Sequence, residues 1–441
     1  MKKVLIITYY WPPAGGPGVQ RWLKFVKYLR DFDIEPVVYI PENPHYPLQD
    51  LSLNNEIPNG ITLLKSPIKE PYFLAKIFSK KKTKEISSGI INTKKPSILE
   101  KLFLWIRGNV FIPDARIFWV KPSVTYLTKY LEEKNIDTII TSGPPHSLHL
   151  IGLQLQKKLA IKWIADFRDP WTSIGYHHKL RLTNSSKKKH ERLEAKVLQS
   201  ADIILVTSPT TKKQFQVLTD KPIEVITNGF DKEIVTSKYL DTKFTISHIG
   251  SLLSERNPEF LWRILFQLIE ENKDFAKDFE LQLAGVVSEE VLTSLRLFGI
   301  DKNVRKLGYI THKEALFLQQ KSQVLLLIEI DSIETRAIIP GKIFEYMAAN
   351  RPILAIGPRE SDMEEIIKST KTGCFFDYNK EVELKETLLN WYDAFKKNKL
   401  FLNSVGVEAY SRKNLTEKLS LVLKDSFQQN LNSRNLKKHT P

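Results

Sequence analysis

Short apolar runs alternate along the chain with longer runs in which apolar positions recur at helical spacing. The first series predicts a strand at 3–9, a helix at about 18–31, and strands at 35–40 and 62–65. After an irregular stretch it predicts a helix at about 119–134, a strand at 136–141, a helix at 147–159, a strand at 161–166, a helix at 187–199 and a strand at 201–206. Strands separated by amphipathic helices form a parallel sheet with helices on both faces. A second series of strands, Phe244 to Ile249, Glu280 to Ala284, Val324 to Ile328 and Ile353 to Ala355, is again interleaved with helices. Between the two series, Ile226-Thr227-Asn228-Gly229-Phe230-Asp231 and the polar segment to about Lys243 supply turn residues that end one pattern before the next begins. The pattern therefore predicts two doubly wound α/β domains, at 1–235 and 236–415, with a helix and basic tail at 416–441.

Length agrees, since 441 residues are too many for one compact core. With 42% hydrophobic and 26% charged residues the chain reads as an ordinary globular protein. Its single cysteine, Cys374, can form neither an internal disulfide nor a zinc cluster, so a cytoplasmic location is expected. The apolar run at Val4–Ile7 is short and no small-residue cleavage site follows, so it reads as a strand, not a signal peptide. No window holds the roughly 20 apolar residues of a membrane span. Charge changes the picture more. The net charge is +16, and 14 of it resides in excesses of 5, 4 and 5 at 71–100, 181–198 and 411–441, which favours an anionic partner. Residues 70 to 117 also break the alternation. There Lys80-Lys81-Lys82 and Lys94-Lys95 are interleaved with Phe103, Leu104, Trp105, Ile106, Phe111 and Ile112, which fits either an amphipathic surface on anionic lipid or a lysine loop followed by a packed helix.

Candidate chemistry lies at the carboxyl ends of the strands, where open α/β sheets bind ligands. The first strand runs into Tyr9-Tyr10-Trp11-Pro12-Pro13-Ala14-Gly15-Gly16-Pro17-Gly18 and then a helix, so Gly15 and Gly16 are placed to let backbone amides approach a phosphate. Arg21 occupies the position of the third glycine, so this is not a dinucleotide fingerprint. His146 stands between a strand end and a helix start, where a neutral imidazole is favoured; His149 reads as packing. Asp166-Phe167-Arg168-Asp169-Pro170-Trp171 places Asp166, Arg168 and Asp169 on the same edge, to hold a polar acceptor or to brace one another. In the second half, Ser251 and Arg256 follow Gly250 in a strand-to-helix loop, and a guanidinium suits a diphosphate. Lys342 and Glu345, behind Pro340-Gly341, share a face in a helix's first turn, the lysine suited to phosphate and the glutamate to ribose hydroxyls.

These segments, with Ile226-Thr-Asn-Gly-Phe-Asp231, His248-Ile-Gly-Ser251, Leu307-Gly-Tyr309 and Lys342-Ile-Phe-Glu-Tyr-Met-Ala-Ala-Asn-Arg-Pro-Ile-Leu354, resemble a glycosyltransferase of the GT-B fold, family 4. The resemblance covers nearly the whole chain. It implies two Rossmann-like domains facing a central cleft, the N-terminal one binding the acceptor and the C-terminal one a nucleotide-activated sugar. Glu345 matches the second glutamate of the family's E-x7-E element; the first position is taken by Ala337, and the arginine often found after Gly250 is Ser251.

The resemblance implies a retaining, hexosyl-type transfer in which Arg256 and Lys342 stabilise the leaving diphosphate together with the Gly16 loop, and His146 bonds the donor sugar. It implies no cofactor and no metal, the donor being UDP- or GDP-linked, and a saccharide or lipid-linked acceptor in cell-surface polysaccharide synthesis. Asp31-Phe32-Asp33, a D-x-D, follows the first helix and precedes a strand, at the end away from the ligand crevice. An anionic membrane surface is a further expected partner, giving a peripheral position on the inner face; nucleic acid is not expected. The competing readings are a GT-B sugar-nucleotide epimerase and an inactive basic protein that binds membrane or nucleic acid.

Overall fold

The computed structural model describes residues 1–70, 98–173, 180–231 and 240–438. The chain divides into two packed units, Met1–Asn228 with Arg412–Pro441, and Gly229–Ser411. The first contains β1 (Lys2–Ile7), α1 (Pro17–Leu29), β2 (Ile34–Pro41), β3 (Thr62–Ser66), α2 (Ile98–Asn109), α3 (Ile117–Lys134), β4 (Thr138–Gly143), α4 (Ser147–Leu159), β5 (Lys162–Phe167), α5 (Asn184–Ser200), β6 (Ile203–Val206), α6 (Pro209–Gln216) and β7 (Ile223–Val225). The second contains β8 (Phe244–Ile249), α7 (Glu259–Glu271), α8 (Lys273–Asp278), β9 (Phe279–Ala284), α9 (Glu289–Leu297), β10 (Val304–Gly308), α10 (His312–Lys321), β11 (Val324–Ile328), α11 (Lys342–Ala348), β12 (Ile353–Ile356), α12 (Asp362–Thr370), β13 (Gly373–Phe376) and α13 (Glu381–Lys396). The last helix, α14 (Arg412–Lys438), belongs to the first unit, where Leu415, Leu419 and Leu423 join the core. The C-terminal helix is thus not a separate region, and it starts before the expected 416.

Both sheets are parallel. Their orders are β3-β2-β1-β4-β5-β6-β7 and β10-β9-β8-β11-β12-β13, and chain order reverses between β1 and β4 in one and between β8 and β11 in the other. Crevices open at such switch points, on the carboxyl side of the strands. Central strands are apolar because both faces are covered: Val4 to Ile7 and Val324 to Leu327 are wholly buried. Indole rings fill the helix–sheet layers of the first unit, where Trp119 stacks on Tyr39 at 5.0 Å and 2° and Trp22 and Trp163 are fully buried. Each such side chain stabilises the fold by about 1.5–3 kcal/mol.

Local signals set the boundaries. Gly16, at φ +89°, turns the chain into α1 with Pro17 in the first turn. Thr183 accepts from the Ser186 amide, so α5 begins three residues earlier than its apolar periodicity predicts. Thr311 and Glu314 form a reciprocal capping box at α10. Three edge or near-edge strands, β7, β10 and β13, escape the apolar pattern because they are short and only partly buried. In α2 Leu104 is buried whereas Trp105 is exposed, so this helix both packs and presents an aromatic. Lys80, Lys81, Lys82, Lys94 and Lys95 lie outside the described residues, as does the Phe103 side chain.

Candidate active site

In the second unit, residues expected to bind the donor meet at the carboxyl edge of β8 and β11. β8 is followed by Gly250, whose φ of +117° is one that other residues rarely adopt, and a Cβ there would stand 2.9 Å from Lys342 Nζ. The glycine makes room for the lysine. Ser251 follows, exposed, and a 3-10 turn then carries Arg256. Arg256 donates from Nε and Nη2 to the Glu329 carboxylate at 3.1, 2.9 and 3.2 Å, and the Ile330 amide donates to the same carboxylate at 2.9 Å. Glu329 directly follows β11 and is almost wholly buried.

Two contacts tie α11 to β8. The Ile249 amide donates to Tyr346 Oη at 3.0 Å, and Lys342 Nζ lies 3.2 Å from His248 Nε2. Glu345 is half-buried and accepts from Gln319 Nε2 at 3.0 Å. Lys342 and Glu345 therefore each have a partner on another element and are not an ordinary surface ion pair.

Burial pushes the Lys342 ammonium down to about 8, and the Arg256 guanidinium pushes the same way, while Glu329 and Glu345 oppose it. Burial, then Lys342, holds His248 well below its usual value, so its ring is neutral at pH 7. Two cations thus converge on one sheet edge. Arg256 brings a buried counter-charge with it, whereas Lys342 rests on a neutral ring, and a bound anion would relieve the repulsion between them.

In the first unit the loop after β1 is held by its own backbone. The Gly15 amide donates to Leu48 O at 2.9 Å, and a Cβ on Gly15 would come within 2.9 Å of Leu48 Cγ. Gly15 packs closely against Leu48, and its amide is already engaged. Asp166, fully buried in β5, accepts from Arg21 Nε and Nη2 at 3.2 and 2.8 Å, and from Trp22 Nε1 and Ser142 Oγ at 2.8 Å each. Four donors and complete burial make Asp166 a brace, with Arg21 and not Arg168 as its partner. Arg168 instead donates to Gly18 O at 2.9 Å and to Pro144 O, and its guanidinium lies 5.4 Å from the Tyr10 ring. It straps the glycine turn to the loop after β4. Asp169 is exposed.

His146 occupies the N-cap position of α4, but its ring makes no capping bond; it is buried and stacks on Trp171 at 4.9 Å and 4°. The α4 terminus is capped by Asp114, which accepts from Ser147 N and Oγ at 2.8 and 2.9 Å. Trp171 is fixed in turn, its Nε1 donating to His190 Nδ1 and its amide to Glu194, both at 3.0 Å. His149 is packing, as expected: it stacks on Phe167 at 4.3 Å, and burial drops it to about 3. Asp31 and Asp33 both precede β2, at the edge opposite the strand carboxyl ends.

Residues 92–234 match Glycosyltransferase Family 4, and residues 243–394 match Glycosyl transferases group 1. The chain belongs to the family 4, group 1 glycosyltransferases. Solved structures extend the likeness over the whole length of this glycosyltransferase. HepE of Anabaena, in complex with UDP, is 12% identical over 96% of this chain and 100% of that chain, with a TM-score of 0.60. Sucrose-phosphate synthase from Thermosynechococcus elongatus is 12% identical over 100% of both chains at 0.54. A TarM variant from S. aureus, in complex with fondaparinux, alpha-GlcNAc-glycerol and UDP, is 11% identical over 95% of this chain and 99% of that chain at 0.54. No curated protein matches the chain significantly in sequence. At these identities the structures establish the fold, two Rossmann-like halves of the GT-B type.

Four residues of the glycosyltransferase's second unit, Glu329, His248, Gln319 and Tyr346, shape the site without standing out as candidates in the sequence. Glu329 carries a legible signal: it is the acidic residue that ends the apolar run of β11, the kind of position that drew attention to Asp166. Gln319 carries none, and His248 is marked only as part of the His248-Ile-Gly-Ser251 segment; each takes a role in the site only through a partner more than 20 residues away.

Proposed function

We propose that this glycosyltransferase moves a hexosyl unit from a UDP- or GDP-linked donor to a saccharide or lipid-linked acceptor, with retention and without a metal ion, in the assembly of a cell-surface polysaccharide. The observation that carries this reading is the convergence of Arg256, Lys342 and Glu345 on one sheet edge of the second unit. In the transfer, the bond between the sugar's anomeric carbon and the phosphate oxygen breaks, and a bond from that carbon to the acceptor oxygen forms. The acceptor proton passes to the leaving phosphate. Negative charge grows on the diphosphate, and cations held in place before reaction stabilise it most effectively. Lys342 and Arg256 are assigned that task, and Glu345 the ribose hydroxyls, which are donors to a carboxylate. The UDP in HepE and TarM supports a nucleoside diphosphate in this role. The first unit is assigned the acceptor, with Asp169 exposed just beyond the carboxyl end of β5.

A peripheral position on the inner membrane face belongs to the same proposal. Its support is the exposure of Leu102, Trp105 and Phe118, with Lys121 exposed three residues after Phe118 on the same helix, together with the basic segment at 71–100. No helix of the described residues is long and apolar enough to cross a membrane.

A thermal-shift panel of UDP, GDP and their hexose conjugates tests the donor assignment, since a ligand at 100 times its dissociation constant adds about 2.7 kcal/mol of stability. One nucleobase series is expected to raise the unfolding temperature. No shift with any member would remove the donor reading. Incubating the stabilising sugar nucleotide alone and analysing the sugar then separates transfer from epimerisation.

A further inference from the structure

His248 lies outside every role assigned so far, yet its ring meets the ammonium of the lysine proposed to stabilise the leaving diphosphate. It is wholly buried in β8. Its Nδ1 is 3.1 Å from Leu326 O on the neighbouring β11, and its Nε2 is 3.2 Å from Lys342 Nζ at the start of α11. A carbonyl oxygen only accepts, so the Leu326 contact requires a proton on Nδ1, which leaves the Nε2 lone pair to accept from the ammonium. Ser251 O lies 3.5 Å from Nε2 and would favour the opposite tautomer. That tautomer would set two lone pairs against each other at 3.1 Å and strip Lys342 of its acceptor, so the shorter contacts decide. Gly250 leaves the space in which Nζ sits, and the Tyr346 bond to Ile249 N holds α11 in register with β8.

We infer that His248 is a positioning residue for Lys342: its ring, protonated at Nδ1 toward Leu326 O, receives the ammonium at Nε2 and holds it at the ligand edge without neutralising it. A carboxylate there would fix the lysine equally well but would cancel the charge that an anion needs. The contrast is built into the same edge, where buried Glu329 fixes Arg256 by an ion pair that offsets part of its charge. The charged and titratable groups facing Lys342 are His248 from β8, Arg256 from the following loop, Glu329 from the end of β11 and Glu345 from α11 itself. This inference rests on the donor reading for its consequence, and on geometry alone for the hydrogen bond.

The bond can be tested on the unmodified protein by long-range proton–nitrogen correlation of the His248 ring. A proton on Nδ1 and a bare Nε2 are expected; a proton on Nε2 overturns the inference whatever any variant does. The second measurement is the pH midpoint of Lys342 acetylation by acetic anhydride, followed by mass spectrometry. In the wild type it is expected near the value of about 8 that burial and Arg256 impose. His248→Gln offers an amide oxygen in place of Nε2 and should keep the midpoint, whereas His248→Leu removes the acceptor and should lower it by about one pH unit, a tenfold change. An unchanged midpoint in folded His248→Leu would leave the histidine a mere core residue. UDP and GDP serve as probes of the consequence: the one that binds should lose affinity above the same midpoint, and at lower pH in His248→Leu. If neither nucleotide binds the wild type, the donor reading fails, while the ring tautomer and the acetylation midpoint still decide the role of His248.

Discussion

Replacing Asp166 separates a structural carboxylate from a substrate ligand. The Arg21 side chain is 1% exposed and that of Asp166 0%. In Asp166→Ala the guanidinium stays buried with, among the described residues, Ile226 O and Thr227 O to accept from it, and Trp22 Nε1 and Ser142 Oγ lose their acceptor as well. Removing one partner of a buried ion pair costs about 3–5 kcal/mol. In a unit of more than 200 residues, each kcal/mol lowers the midpoint by about 2–4 °C, so a decrease of roughly 6–20 °C is expected in the first unit's transition. Scanning calorimetry of wild type, Asp166→Ala and Asp166→Leu with Arg21→Met measures it. The double variant removes both charges, and should recover a large part of the loss. Acid unfolding gives a second readout. Burial works against the ionised carboxyl, but the Arg21 guanidinium and the hydrogen bonds from Arg21 and Ser142 outweigh it, so Asp166 titrates below its usual range. Its stabilisation is therefore complete above the unfolded value of about 3.9 and is lost as pH falls through the lower native value, a loss that Asp166→Ala should not show. A midpoint within about 2 °C of wild type, together with lost transfer activity, would refute the brace and make Asp166 a ligand.

The other predictions concern the second unit and the membrane. Glu345→Ala should weaken nucleoside diphosphate binding roughly tenfold or more, since a hydrogen bond to a charged group contributes about 1.5–3 kcal/mol, and equal affinities in calorimetric titration would remove Glu345 from the site. Lys342→Met should cut turnover roughly 100-fold or more with little change in unfolding temperature, whereas Arg256→Ala should lower both, because it strands the buried Glu329; full activity in either variant would contradict the cationic clamp. Turnover measured in EDTA should match turnover without it, and complete loss would contradict metal independence. In vesicle sedimentation the wild type should pellet with anionic but not neutral lipid and be released by high salt, because surface attraction fades within about 8 Å at physiological ionic strength; failure to pellet at low salt would remove the membrane assignment.

The architecture was legible where burial imposes a simple pattern. β1 and β11 carry the continuous apolar runs Val4–Ile7 and Val324–Ile328, and β4, β5 and β8 are wholly or almost wholly buried with apolar residues at their centres, so all five stand out from the sequence. β7 and β10 did not: Glu224, Arg305 and Lys306 interrupt their apolar positions, as an edge strand allows. Helix starts shifted by a few residues, because a threonine at the cap, and not the apolar periodicity, decides where α5 begins. In the site, Arg256, Lys342 and Glu345 could be placed because each sits at a fixed offset from a glycine or a strand end. Their partners could not. His248, Glu329 and Gln319 meet them across 94, 73 and 26 residues of sequence, and only the sheet order brings those segments together.

The same sheet order explains why position at a strand's carboxyl end is an ambiguous sign of function. Loops from different strands converge there, so a polar side chain can either be saturated by its neighbours or be left facing outward. Asp166 and Glu329 illustrate the first fate: both are almost wholly buried, and each is met by an arginine and by other donors. Glu345, half-buried with one hydrogen-bond partner, illustrates the second. Lys342 is intermediate, since it is held but not neutralised. A charge that must bind an anion has to be fixed in place, or it pays in lost side-chain entropy on binding, yet a counter-ion strong enough to fix it would compete with the ligand. A neutral histidine acceptor meets both demands, which is why the proposed donor site pairs Lys342 with His248 while leaving the carboxylate of Glu329 to Arg256.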